Sequence, residues 1–216
     1  MDTHISLCYN TTLRNNRCVL ATRNPGKARE FGELLGGAFD ILTLDDVRFT
    51  GDIDEYGSTF AENALIKAWT VHTATGLAVI ADDSGLAVDA LGGAPGVYSA
   101  RFAGKADKTY QNENDAANNR LLLEKLKDVP APRTARFVCA IAYVTDALEC
   151  VVEGACEGEI GFAPSGRGGF GYDPLFYYKG ISFADMSQAD KNAVSHRSAA
   201  IKKLIEKLNE YGYMEA

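Results

Sequence analysis

Residues Ala81–Gly104, ADDSGLAVDALGGAPGVYSARFAG, decide how the rest of the chain is read. The run leading into them, Leu77–Ala81 (LAVIA), is short, apolar and partly β-branched, the pattern of a strand buried on both faces. It predicts a strand that ends by delivering Asp82 and Asp83, followed at once by Ser84 and Gly85. Two adjacent carboxylates at the mouth of a buried strand repel each other and lose hydration. They are tolerated where a cation sits between them and a ligand, and Mg²⁺ prefers one or two carboxylates completed by substrate phosphates. A turn-capping role is the competing reading, because Asp hydrogen-bonds its own backbone in turns. Gly92, Gly93 and Gly96, with Pro95 among them, then predict a tight loop that a backbone or a ligand can approach closely.

Toward the N-terminus, Arg17–Thr22 (RCVLAT) reads as a first strand, and a helix is expected from Lys27 to Leu35, stopped by Gly36 and Gly37. The turn between them, Thr22-Arg23-Asn24-Pro25-Gly26-Lys27, directs backbone N–H groups and the positive end of a helix outward, which suits an anion, with a plain connecting turn as the competing reading. It is not a Walker A loop, since the first glycine is missing and Ala28 follows Lys27. A second strand is expected at Phe39–Leu44. After it, an acidic stretch (Asp45, Asp46, Asp52, Asp54, Glu55) precedes the capping box Thr59-Phe60-Ala61-Glu62 of a helix reaching Thr75. Asn63 and Lys67 are four apart on that helix and share a face.

Toward the C-terminus, a helix is expected over Asp107–Lys127, broken by Pro130 and Pro132, and then a long hairpin of Thr134–Thr145 and Leu148–Glu159 turning at Asp146-Ala147. Gly166-Arg167-Gly168-Gly169-Phe170-Gly171 matches the G-x-G-x-x-G pattern formally. In a dinucleotide fold that pattern follows a strand and opens a helix, whereas here Tyr172-Asp173-Pro174 and a strand-like run, Leu175–Tyr178, come next. What remains is a glycine loop presenting Phe170, Tyr172 and Asp173, with aromatic rings suited to stacking on a flat base. Ser187–Asn209 reads as two helical pieces, Ser195 capping the longer, with Lys191, His196 and Arg197 clustered at the junction.

The composition bounds the function. At 216 residues the chain can form one domain or two lobes around a cleft, and 46% hydrophobic with 24% charged residues is ordinary for a globular protein. No apolar run has the length of a membrane span. Five scattered cysteines without a C-x-x-C pair argue against a zinc site or a disulfide framework and for a reducing, cytoplasmic setting. A net charge of −7 makes DNA or RNA a poor partner, but leaves room for a small nucleotide at a local basic cluster. Residues 1–16 read as a leader and residues 17–216 as one domain.

Four stretches carry a resemblance. ADDSGLAVDALGGAPGVYSARFAG is similar to the central signature of the inosine triphosphatase family, the dITP/XTP diphosphatases that hydrolyse non-standard purine nucleotides. Ala21–Glu30 (ATRNPGKARE), Gly168–Phe176 (GGFGYDPLF) and Phe183–Arg197 (FADMSQADKNAVSHR) resemble the same family in the same order. The resemblance implies an α/β fold, an elongated mixed β-sheet flanked by helices, with two lobes, a central cleft and a homodimeric assembly. It implies Mg²⁺-dependent hydrolysis of ITP, dITP and XTP to the monophosphate and pyrophosphate. By the same match, Thr22, Arg23, Asn24, Pro25, Gly26 and Lys27 hold the triphosphate with Lys67 and Ser84. An acidic ligand just before the second helix, Asp54 or Glu55, joins Asp83 at the metal, and Asp83 is metal ligand or general base. Phe170, Gly171, Tyr172, Asp173, Lys191, His196 and Arg197 would form the base side. Asp185 stands where the family commonly has glutamate. A nicotinamide-dependent oxidoreductase and a non-catalytic nucleotide-binding module are the alternatives, separated by hydride transfer with NAD(P)H and by turnover of ITP.

Overall fold

The computed structural model describes residues 17–35, 37–104 and 111–213. The leader and the start of the helix expected from Asp107 lie outside these residues. Strand β1 (Arg17–Leu20) turns into helix α1 (Pro25–Leu35), with Pro25 at the first helical position, where a missing N–H removes no helical bond. Asn24 caps the helix, its Oδ1 accepting from the Lys27 N–H at 3.1 Å, and Thr22 Oγ1 accepts from the Asn24 N–H at 3.2 Å. Strand β2 (Asp40–Leu42) and helix α2 (Phe60–Thr75) follow, and both hydrogen bonds of the Thr59–Glu62 capping box form. Strand β3 (Val79–Val88) leads into two 3₁₀ turns, Asp89–Leu91 and Gly96–Arg101, and helix α3 (Gln111–Lys125). The hairpin expected from the branched apolar runs is present as β4 (Thr134–Val144) and β5 (Glu149–Ile160). Short strands β6 (Phe176–Tyr178) and β7 (Ile181–Ser182) and helices α4 (Gln188–Val194) and α5 (His196–Glu210) complete the chain, with Ser187 and Ser195 as N-caps.

The strands form one mixed seven-stranded sheet in the order β2-β1-β3-β4-β5-β6-β7, parallel between β2, β1 and β3 and antiparallel beyond. The expected α/β fold with a helix-flanked mixed sheet is therefore present. Side-chain alternation sorts β3 between two cores. Ile80 packs with Phe31 and Leu35 of α1 and Leu204 of α5, while Val79 and Ala81 pack with Ala64, Ala68 and Val71 of α2. A third cluster at the far end gathers Leu86, Leu122, Phe137, Phe176 and Phe183.

One expectation needs correction. The strand does not end at Ala81; β3 continues for ten residues and pairs with β4 from Val79↔Val144 to Val88↔Ala135. Asp82, Asp83, Ser84 and Gly85 are therefore mid-strand residues, not a turn. The cross-strand ladder supplied by β4 overrides the turn-like composition of Asp-Asp-Ser-Gly, which a local reading weighs without the partner strand.

On the other edge, β1 pairs with β3 only at Val79 and Ile80. At Leu86 the N–H donates to Ser99 Oγ at 2.9 Å, and at Val88 to the Ala94 carbonyl at 3.1 Å. Between these two covers, over Ala81–Gly85, no strand among the described residues pairs with this second edge of β3. This unpaired edge is where the central cleft implied by the resemblance would lie.

Candidate active site

Along this edge the consecutive carboxylates of β3, both buried, point to opposite faces of the sheet. Asp82 shares its face with Ile80 and Ser84. It meets Lys27 Nζ at 2.8 Å, Ser84 Oγ at 2.5 Å and Arg197 Nη2 at 3.7 Å. Asp83 shares its face with Ala81. It accepts from Asn63 Nδ2 at 3.0 Å and lies 3.5 Å from Lys67 Nζ. Burial alone would raise both acids, but at Asp82 the charges of Lys27, Arg197 and Lys67 prevail and hold the carboxyl well below the usual range. At Asp83 burial prevails, aided by Glu55 and opposed by Lys67 and Lys27, so the proton affinity is raised. The two neighbouring acids are thus pushed in opposite directions, Asp82 held as an anion and Asp83 with its proton affinity raised.

Lys67 bridges Glu55 Oε1 at 3.0 Å and Asp83 Oδ1 at 3.5 Å. Of the two acids left open by the sequence, Glu55 converges on Asp83 through this ammonium, whereas Asp54 is exposed. Asn63 is fixed in turn, its Oδ1 accepting from the Gly57 N–H at 2.8 Å. Among the described residues no three His, Cys, Asp or Glu side chains converge as a metal cage. Two carboxylates already focused on one cation fit Mg²⁺ completed by substrate phosphates better than an all-protein site.

Beyond Asp82, Lys191 and Arg197 are both buried on an equally buried Glu30. Lys191 Nζ lies 3.0 Å from Glu30 Oε1 and 2.6 Å from Asp173 Oδ2, and Arg197 Nη1 pairs with Glu30 Oε2. Burial would raise Glu30, yet Arg197 and Lys191 bring it below its ordinary value. Arg197, 1% exposed, also reaches Ser84 Oγ at 3.3 Å, so it ties α5 to β3 as well as to Glu30. His196 stacks on Phe137 with centroids 4.8 Å apart, and burial, then Arg197 and Lys191, push its pKa well below 6.5, so it is neutral. The Phe170 ring covers Gly26, where a Cβ would come within 2.9 Å of it, and lies 4.9 Å from Lys191 Nζ.

Not every residue marked by the sequence faces the cleft. Arg23 turns away to the carbonyls of Gly51 at 2.9 Å and Phe49 at 3.4 Å. Thr22 and Asn24 spend hydrogen bonds on their own turn, and Pro25 is exposed at the helix start. Tyr172 is buried and donates to the Ser99 carbonyl at 2.8 Å, so it is a strut and not a stacking surface. Asp173 is internal too, accepting from the Phe170 N–H at 2.9 Å while holding Lys191. Gly166–Gly171 lies in a loop between β5 and β6 and opens no helix, as its context predicted. Glu30 has no role in the sequence reading, and Asp82 enters it only as the partner of Asp83 in a carboxylate pair suited to a cation. Glu30 precedes Leu34 by four residues and Phe31 by one, so a charge on the inward side of α1 was the available signal.

A family model described as the Ham1 family matches residues 18–207. The chain belongs to the Ham1 family. Among its relatives, the dITP/XTP pyrophosphatase of Exiguobacterium sibiricum is 49% identical over 193 residues, covering 87% of this chain and 94% of that protein. That of Bacillus subtilis is 46% identical over 191 residues, covering 86% and 93%. Among solved structures, the Staphylococcus aureus Ham1 protein aligns with a TM-score of 0.79 at 38% identity, over 90% of this chain and 99% of that one. The Mycobacterium abscessus nucleoside-triphosphatase / dITP/XTP pyrophosphatase aligns at 0.70 and 44% identity, over 87% and 98%.

Proposed function

We propose that this Ham1-family chain hydrolyses ITP, dITP and XTP between the α- and β-phosphates, releasing the monophosphate and pyrophosphate. The observation that carries this reading is the pair Asp82 and Asp83 at the open edge of β3, each facing a lysine from a different helix, Lys27 on α1 and Lys67 on α2. Such a gap offers cations to a phosphate chain from both sides of the sheet. Glu55 and Asp83 would hold Mg²⁺, which when bound neutralises phosphate charge and acidifies a water. Asp83 serves as this ligand or, in its place, as the base that takes the proton of the attacking water, a role its raised proton affinity suits. Lys27 and Lys67 stabilise the charge that accumulates on departing pyrophosphate, and Ser84 adds a hydrogen bond beside them.

On the opposite side, Phe170 would stack on the purine, and Lys191 would donate to the six-position oxygen of hypoxanthine or xanthine. Adenine presents a donor there, and a donor facing a buried donor is penalised. Arg197 and neutral His196 complete that wall. The organisation of residues 17–216 as two lobes around the gap, the homodimer and the cytoplasmic location belong to the same proposal. Among the described residues no helix is long and apolar enough to cross a membrane, and Cys18, Cys139, Cys150 and Cys156 are buried free thiols, which suits a reducing compartment.

A panel of ITP, dITP, XTP, ATP and GTP with Mg²⁺, scored separately for pyrophosphate and phosphate, tests the reaction. Label from the γ-phosphate is expected in pyrophosphate. Its release as free phosphate in a pyrophosphatase-free assay would make the chain a phosphatase.

A further inference from the structure

Helix α3 is an unusual helix in composition. Five of its first ten residues are Asn or Asp (Asn112, Asn114, Asp115, Asn118, Asn119), types that favour caps and turns over helix interiors. Three of them, Asp115, Asn118 and Asn119, are spaced i, i+3, i+4 and so share one face. Each uses its side chain on the backbone of a distant loop. Asp115 Oδ2 accepts from the Gly171 N–H at 2.7 Å, and Asn119 Nδ2 donates to the Gly171 carbonyl at 2.9 Å. Asn118 accepts from the Ala103 N–H at 2.8 Å and donates to the carbonyls of Ala100 at 3.2 Å and Ser99 at 3.3 Å.

The two bonds to Gly171 have a geometric consequence. The Gly171 N–H belongs to the peptide plane joining it to Phe170, and its carbonyl to the plane joining it to Tyr172. Both planes around a residue with φ of +62°, a conformation glycine adopts without strain, are therefore pinned by α3. On its other side, Phe170 donates its own N–H to Asp173 at 2.9 Å. The backbone of Phe170 is thus held before and after by two carboxylates, and its ring is aimed over Gly26 and toward Lys191.

The geometry points to Asp115 and Asn119 as positioning residues for purine recognition, a peptide clamp that orients Phe170 from a helix outside the cleft. This rests on the reading that Phe170 stacks on the base. Asp115→Ala and Asn119→Ala are expected to raise KM for ITP about tenfold, the scale of one lost base–aromatic stack, with kcat nearly unchanged. Competitive inhibition by pyrophosphate, which has no base, stays as in the wild type. The chemistry of each bond predicts an asymmetry that helix packing alone would not produce. Asp115→Asn keeps an acceptor for the Gly171 N–H and retains a near wild-type KM. Asn119→Asp loses the donor, sets a carboxylate against the Gly171 carbonyl, and behaves like Asn119→Ala. In a Phe170→Ala background, Asp115→Ala adds no further rise. Thermal unfolding of each variant identifies any that is simply unfolded, and Asn119→Asp against Asp115→Asn then carries the comparison. Unchanged KM in the α3 variants while Phe170→Ala raises it overturns the clamp alone. If Phe170→Ala itself leaves KM unchanged, the stacking reading falls and the clamp falls with it.

Discussion

Lys27 Nζ lies 2.8 Å from Asp82 Oδ2, joining the first turn of α1 to the middle of β3 across the break in the sheet. The contact holds the Thr22–Lys27 turn in place with a carboxylate that is itself 2% exposed. Asp83, next in sequence, faces α2 instead. Neighbouring acids of one type therefore predict different phenotypes.

Asp83→Asn is expected to lower kcat about 10²-fold or more while nucleotide binding is largely kept, because it removes a proton acceptor. Asp82→Asn leaves Lys27 and Arg197 short of a buried counter-charge and should destabilise the fold by about 3 kcal/mol. Steady-state kinetics beside denaturant unfolding separates the two. Near wild-type kcat in Asp83→Asn would remove it from the chemistry.

The metal prediction distinguishes two adjacent acids. Glu55→Gln should raise the Mg²⁺ concentration needed for half-maximal turnover about tenfold, and Asp54→Asn should leave it unchanged. Chelation by EDTA should abolish turnover, and added Mg²⁺ should restore it. A larger effect from Asp54→Asn would reassign the ligand.

Base choice is expected to depend on Lys191 more selectively than on Arg197. Lys191→Met should narrow the ITP to ATP ratio of kcat/KM about tenfold on top of a loss common to both, since unpairing Glu30 and Asp173 weakens both substrates while only the keto purine also loses a hydrogen bond. Arg197→Ala should depress both substrates, because the same guanidinium pairs with Glu30 and Asp82 and contacts Ser84 on β3. Paired measurements on the two nucleotides decide it.

His196 makes stability depend on pH. Its folded pKa lies well below 6.5 through burial and then the charges of Arg197 and Lys191, so on acidification the unfolded chain binds the proton first. Stability should therefore fall as pH drops below about 6.5, at up to about 1.4 kcal/mol per unit from this group, and be unaffected by it at higher pH. Unfolding free energies between pH 5 and 8 should show a shallower slope in His196→Gln than in the wild type. Parallel slopes would mean the ring is not the titrating group.

Much of the molecule was legible locally. The Thr59–Glu62 capping box, the β4–β5 hairpin and the Ser195 cap are short-range patterns set by hydrogen-bonding geometry and side-chain period, and each is present. The shared face of Asn63 and Lys67 followed from helical spacing, and both do converge on Asp83. Rejection of the glycine loop as a dinucleotide motif followed from Pro174 and the strand after it.

By itself, then, the sequence determined the elements, the family and the residue types available to the site, because periodicity, capping and motif spacing are properties of neighbouring residues. Only the tertiary structure decided how those residues divide the work. Whether Asp82 and Asp83 face one site or two depends on β4 carrying the ladder past Ala81, a pairing with residues far along the chain. That Glu30 joins Lys191 and Arg197, that Glu55 and not Asp54 meets Lys67, and that Asp115 and Asn119 grip Gly171 are likewise long-range contacts. The physical reason is that buried charges and polar groups must find partners, and which partners come within reach is set by how the sheet and helices pack, not by spacing along the chain.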